Sequence, residues 1–148
     1  MMDVKIEKIN ENFRQDYINL ATKFYKTDAV LGEIPQSYII KTCDELLKGS
    51  PFTTCYMAVF QGQTVGYALL SHTYSQEAGG MALWIEELFV DEKFQGNGIG
   101  KKLLEYVLEN NEYKRVRLEV EKENERACKL YKKYGFDFFE YDQMKLGD

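Results

Sequence analysis

The segment from Leu88 to Lys102 constrains this chain more than any other. A run of β-forming residues, Leu88, Phe89 and Val90, leads into Gln95-Gly96-Asn97-Gly98-Ile99-Gly100, and a helical pattern follows at once. Three glycines in five positions let backbone N–H groups approach a ligand closely. The helix N-terminus adds about half a positive charge. Lys101 and Lys102 stand in the first helical turn, where cations are unfavourable unless an anion neutralises them. The chemistry this unit suits is a phosphate or pyrophosphate. The plain alternative is a glycine-rich turn that only caps a helix.

Two familiar phosphate loops do not fit. A Walker loop, G-x-x-x-x-G-K-[ST], aligned on Gly100-Lys101 puts Gln95 where its first glycine belongs and Lys102 where a hydroxyl should bind magnesium. A dinucleotide fingerprint, G-x-G-x-x-G, started at Gly96 and Gly98 ends on Lys101, and the loop comes late in the chain rather than after an early strand.

The surrounding pattern gives the frame. Val4–Ile9 alternates apolar and charged residues and reads as a strand. Phe13, Tyr17, Leu20 and Phe24 form one stripe on a helix over residues 12–26. A second helix lies between Pro35 and Gly49. Thr53–Phe60 and Thr64–Tyr74 form a hairpin about Gln61-Gly62-Gln63, and Met81–Val90 is a third long apolar run. Gly98–Asn111 is helical, Val116–Val120 alternates as a strand, Asn124–Tyr134 is a short helix, and the tail Phe136–Leu146 is again β-like. The order β-α-α-β-β-β-α-β-α-β predicts an α/β (α+β) fold, a mixed sheet covered by helices. At 148 residues, without linkers or repeats, the whole chain 1–148 reads as a single domain.

Composition removes other functions. The net charge of −5 argues against non-specific nucleic-acid binding, which needs a basic face. Cys43, Cys55 and Cys128 are widely spaced and His72 is the lone histidine, so a zinc site has almost no ligands and no metal is expected. His72 reads as a strand histidine rather than a catalytic one. The cysteines read as reduced thiols. No apolar leader and no stretch near the ~18–20 apolar residues of a membrane helix are present. The expectation is a soluble, cytoplasmic protein with no membrane partner.

Gln95-x-x-Gly98-x-Gly100 resembles the Q/R-x-x-G-x-G/A signature of the GCN5-related N-acetyltransferase (GNAT) superfamily. Downstream, Asn124-Glu125-Arg126-Ala127-Cys128-Lys129-Leu130-Tyr131-Lys132-Lys133-Tyr134-Gly135-Phe136 resembles that family's N-x-x-A-x-x-L-Y-x-x-x-G-F segment. The resemblance implies a single domain with a mixed, mostly antiparallel sheet of six to seven strands and helices on both faces. It implies that the strand ending at Val90 carries a bulge and splays from the strand near Val116–Val120. Acetyl-CoA would enter that V as a co-substrate, its pantetheine pairing with Leu88, Phe89 and Val90. Gln95, Gly96, Asn97, Gly98, Ile99, Gly100 and Lys101 would cradle its pyrophosphate. Asn124 and Ala127 would touch the pantetheine, and Tyr131 would donate a proton to the departing thiolate. Cys128 reads as a small packing residue.

The acceptor is expected to be an amine, and a protonated amine cannot attack, so a base is needed. Glu86 and Glu87 sit in an otherwise apolar strand, where buried carboxylates are costly unless used or paired. Strand alternation sends them to opposite faces. The stretch Leu83–Val90 resembles that of spermidine/spermine (diamine) acetyltransferases, in which a carboxylate at the Glu86 position contacts the amine. Glu86 is therefore preferred as base, over Glu87 and over Glu119. Glu86, Glu87 and Asp142 are the expected contacts for a small cationic substrate, such as a polyamine, an aminoglycoside-like amine or an amino compound. Acetylation of a protein N-terminus or lysine, and a non-catalytic acyl-CoA-binding module, are the other readings. Family members commonly dimerise, and the edge strands could support a homodimer.

Overall fold

The computed structural model describes residues 3–147. Strand β1 (Val4–Lys8) is followed by a single 3₁₀ turn and helix α1 (Arg14–Phe24), then α2 (Gln36–Leu47). Three strands come next, β2 (Thr53–Phe60), β3 (Gln63–Ser75) and β4 (Gly80–Val90). Helix α3 (Ile99–Glu109), strand β5 (Arg115–Leu118) and helix α4 (Glu125–Lys133) complete the regular elements. The strands form one five-stranded sheet in the order β1-β2-β3-β4-β5. Three neighbouring pairs are antiparallel and the last, β4 with β5, is parallel.

Helices cover both faces, as the sequence predicts. On one face, Phe13, Tyr17, Leu20 and Phe24 pack with Ile39, Cys43 and Leu46 of α2 against Met57, Tyr67 and Phe89. On the other, Ile99, Leu103, Leu104 and Val107 of α3 pack on Val65, Leu70, Leu83 and Ile85. Burying side chains of this size contributes about 1.5–3 kcal/mol each relative to leaving them in water.

Three expectations are corrected. The sheet has five strands rather than six to seven. The tail beyond α4, read as β-like, forms no strand: alternating aromatics satisfy a strand pattern, but here side-chain stacking rather than a hydrogen-bonded ladder holds them. Arg117 lies between the rings of Trp84 and Phe139, 4.4 and 4.8 Å from their centroids. Arg115 also meets Phe139, and Tyr141 donates a hydrogen bond to Glu77 at 3.2 Å. The strand expected over Val116–Val120 is also displaced, ending at Leu118.

One irregularity positions the site. In the β3–β4 ladder Leu69 opposes Glu87 and Leu70 opposes Ile85, so Glu86 is an extra, unopposed residue: a β-bulge. Before it, Leu83 and Ile85 face α3. After it, Leu88 and Val90 face α3, while Phe89 joins the α1–α2 core. The bulge thus turns Glu87 and Phe89 to the face a regular strand would have denied them. Close approach of β3 just beyond the bulge depends on Gly66, where a Cβ would sit 2.5 Å from the Phe89 carbonyl oxygen.

Candidate active site

Strands β4 and β5 are paired only from Ala82–Arg115 to Ile85–Leu118. Beyond that point β4 continues to Val90 while β5 has ended, so the two chains part. The backbone of Leu88, Phe89 and Val90 is laddered on its β3 side and unpaired by any strand on the other. An extended ligand could add there as a strand would.

The glycine loop closes the far end of this V. Gly98 is the residue before α3 and has φ +74°, the left-handed region that a glycine enters without strain. No side chain caps the helix and no acidic residue stands in its first turn. Gln95 donates through Nε2 to the Val90 carbonyl at 3.1 Å, and Asn97 through Nδ2 to the Phe94 carbonyl at 3.0 Å. These bonds shape the loop and leave the first-turn amides for an anion. A pyrophosphate fits this donor set, with Lys101 and Lys102 exposed beside it.

The near end of the V opens into a cleft of about 570 Å³. Its floor holds Glu86, Glu87 and Leu88 from β4, and one wall holds Glu119 and Glu121 from the segment after β5. Asn124, Ala127 and Tyr131 of the α4 region form a third side, with Asp28 and its neighbours to Gly32 opposite. The structure therefore gathers Glu86, Glu87, Asn124, Ala127 and Tyr131 around one cleft. Asp142 is not among the lining residues; it is exposed in the tail. Asp28 and Glu121 also line the cleft, and neither was singled out from sequence because neither lies in a motif. The same holds for Tyr25 and Tyr67, whose hydroxyls meet Glu87.

Each side chain is tuned by its surroundings. Glu86 is exposed on the cleft, and the partial desolvation of its carboxyl there, together with the negative charge of Glu119, raises its pKa. Glu87 is buried, which also raises its pKa, while hydrogen bonds from Tyr25 and Tyr67 pull the other way. Asn124 caps α4, its Oδ1 accepting from the Ala127 amide at 3.2 Å, so its Nδ2 remains free to donate into the cleft. Burial raises the Tyr131 hydroxyl to about 12, and its ring rests on Phe136 at 5.6 Å. That phenol keeps its proton throughout the neutral range. His72 lies away from the cleft, its Nε2 paired with Thr54 Oγ1 at 2.9 Å.

The chain is similar to known proteins both in sequence and in fold. Residues 14–136 match the model of the Acetyltransferase (GNAT) family. Spermine/spermidine N(1)-acetyltransferase of Bacillus subtilis (strain 168) is 32% identical over 110 residues, spanning 69% of this chain and 72% of that protein. Thialysine N-epsilon-acetyltransferase of Bos taurus is 31% identical over 112 residues, 65% of each chain. Among solved structures, aminoglycoside N-acetyltransferase AAC(6')-Iy in complex with CoA superposes with a TM-score of 0.80 at 18% identity, covering 99% of this chain and 96% of that one.

Proposed function

The chain belongs to the acetyltransferase (GNAT) family and is an N-acetyltransferase, and we propose that it moves the acetyl group of acetyl-CoA to a primary amine of a small cationic substrate. The observation that carries the substrate reading is the cleft lining: Asp28, Glu86, Glu87, Glu119 and Glu121 supply five carboxylates, with no Lys, Arg or His. Such a field favours a cation and disfavours an anionic one. Relatives named for polyamine and thialysine acetylation point to the same class.

In the proposed reaction both substrates are bound together. The ammonium enters the acidic cleft and loses a proton to Glu86, directly or through a water. The upward shift moves Glu86 in the direction that favours a base, toward the working pH. The neutral amine attacks the thioester carbonyl, and the backbone N–H of Leu88, on the unpaired edge, would meet the developing oxyanion. Nitrogen gains the acyl carbon and gives up its second proton, the C–S bond breaks, and the sulfur leaves with its electron pair and takes up a proton as CoA thiol. Tyr131 donates a hydrogen bond to that sulfur as its charge builds. With a pKa of about 12, its phenol is always loaded for this role. Asn124 and Ala127 bound the slot, the small side chain leaving room for a thin pantetheine arm. Gln95, Gly96, Asn97, Gly98, Ile99, Gly100 and Lys101 would hold the pyrophosphate. Asp142 takes no part.

Release of CoA thiol, measured with spermidine, spermine, thialysine, an aminoglycoside and a short peptide as acceptors, tests this reading. Turnover with at least one small multiply charged amine, well above that with the peptide, is expected. Turnover with the peptide alone would point to a protein substrate, and tight CoA binding with no acceptor at all to a binding module.

A further inference from the structure

Glu87 has no place in that proton path, yet it is the one buried charged residue among those described, 9% exposed. A buried carboxylate is costly unless its oxygens are satisfied. Tyr25 donates its hydroxyl to Oε2, and Tyr67 donates to Oε1 at 2.6 Å.

The two phenols hold different things. Tyr67 is wholly buried on β3, opposite Phe89, and fastens Glu87 to the sheet. Tyr25 is the residue after α1, and the chain that follows it supplies the outer wall of the cleft from Asp28 to Gly32. Val30 and Ile34 pack against the α1–α2 core, and few polar contacts secure the rest of that wall. The Thr27 hydroxyl bonds only locally, donating to the Phe24 carbonyl and accepting from the Ala29 amide, and Leu31 is 94% exposed. Among the described residues, the Tyr25–Glu87 bond is the one side-chain hydrogen bond joining residues 25–34 to the sheet. Its sheet end is next in the chain to Glu86, on the bulge.

We propose that Tyr25 is a positioning residue for the amine, fixing the outer wall of the cleft through Glu87 against the bulge that carries Glu86. The inference rests on the cleft being the amine site. The bulge divides the two adjacent carboxylates between two tasks: Glu86 faces the reaction, and Glu87 sets the distance between the wall and Glu86. In the proposed reaction acetyl-CoA would pair with the free backbone edge of Leu88–Val90, which does not depend on this bond.

Tyr25→Phe removes only the hydroxyl. It raises the KM for spermidine about tenfold, the scale of a lost hydrogen bond to a charged group. The KM for acetyl-CoA and kcat at saturating spermidine stay within about twofold. Backbone amide exchange over residues 26–34 quickens in the same variant, read on protein without substrate. Glu87→Gln, which keeps an acceptor for Tyr25, preserves most of the spermidine affinity, whereas Glu87→Ala matches Tyr25→Phe. The double variant Tyr25→Phe/Glu87→Ala is no worse than either single one. Tyr67→Phe, which loosens the sheet end alone, lowers the melting temperature without quickening exchange at residues 26–34. An unchanged spermidine KM in Tyr25→Phe overturns the inference and leaves amine acetylation standing. A wild-type protein that acetylates no small amine overturns the reading of the cleft and this inference with it.

Discussion

At the scale of single residues, the site works by giving similar groups different surroundings. Glu86 and Glu87 are chemically the same and adjacent in sequence, but one opens on the cleft and the other is enclosed by two phenols. A base must be deprotonated to act, so the rate should rise with pH as Glu86 loses its proton. Because the charge of Glu119 raises the Glu86 pKa, Glu119→Gln should move that rise to lower pH in a kcat/KM profile for the amine. Glu86→Gln should abolish the rise and cost about 10²–10⁴-fold in rate. If Glu87→Gln abolished it instead, the two carboxylates would have exchanged roles. For Tyr131→Phe, kcat should fall by a similar factor while CoA affinity, measured by calorimetry, changes little.

At the scale of elements, the strand–loop–helix unit from Leu88 to Lys102 was legible because its constraint is local. Glycines and a helix start are written in consecutive residues, and Gly98 does take the left-handed conformation such a loop needs. Gly98→Ala should weaken CoA binding and cost about 1–2 kcal/mol of stability, read from denaturant unfolding. The bulge was a different matter: nothing in Leu83–Val90 itself marks which residue is extra, and only its family likeness announced one. Register depends on the partner strand, here on Leu69, Leu70 and Gly66. A Cβ at Gly66 would strike the Phe89 carbonyl oxygen at 2.5 Å, so Gly66→Ala should cost about 1–3 kcal/mol and disturb the pairing of β3 with the end of β4 at Val90. Lower thermal stability together with impaired turnover would be the sign of this.

At the scale of the whole molecule, the sequence showed a negative total and a positive loop, and the structure shows where the signs are kept. Lys101 and Lys102 stand at one end of the V and five carboxylates line the cleft at the other. Motif residues such as Asn124, Ala127 and Tyr131 could be assigned from spacing and resemblance because one helix carries them. The meeting of Tyr25 and Tyr67 on Glu87 could not, since only the tertiary fold brings the end of α1 and β3 to that carboxylate. The tail was misread as a strand because its alternating aromatics satisfy the pattern. Phe139 instead stacks on Arg115 and Arg117 and Phe138 faces Lys122 and Lys132, and a cation–π contact of this kind contributes about 0.5–1 kcal/mol. The central claim is that a single cleft joins the splayed β4 edge to Glu86 and Tyr131. A crystal structure of the CoA complex tests it most directly. The account predicts the pyrophosphate on the amides of Gly96 to Lys101 and the thiol within hydrogen-bond reach of the Tyr131 hydroxyl, pointing toward Glu86. A thiol lying outside the cleft, or a pyrophosphate seated away from that loop, would contradict it.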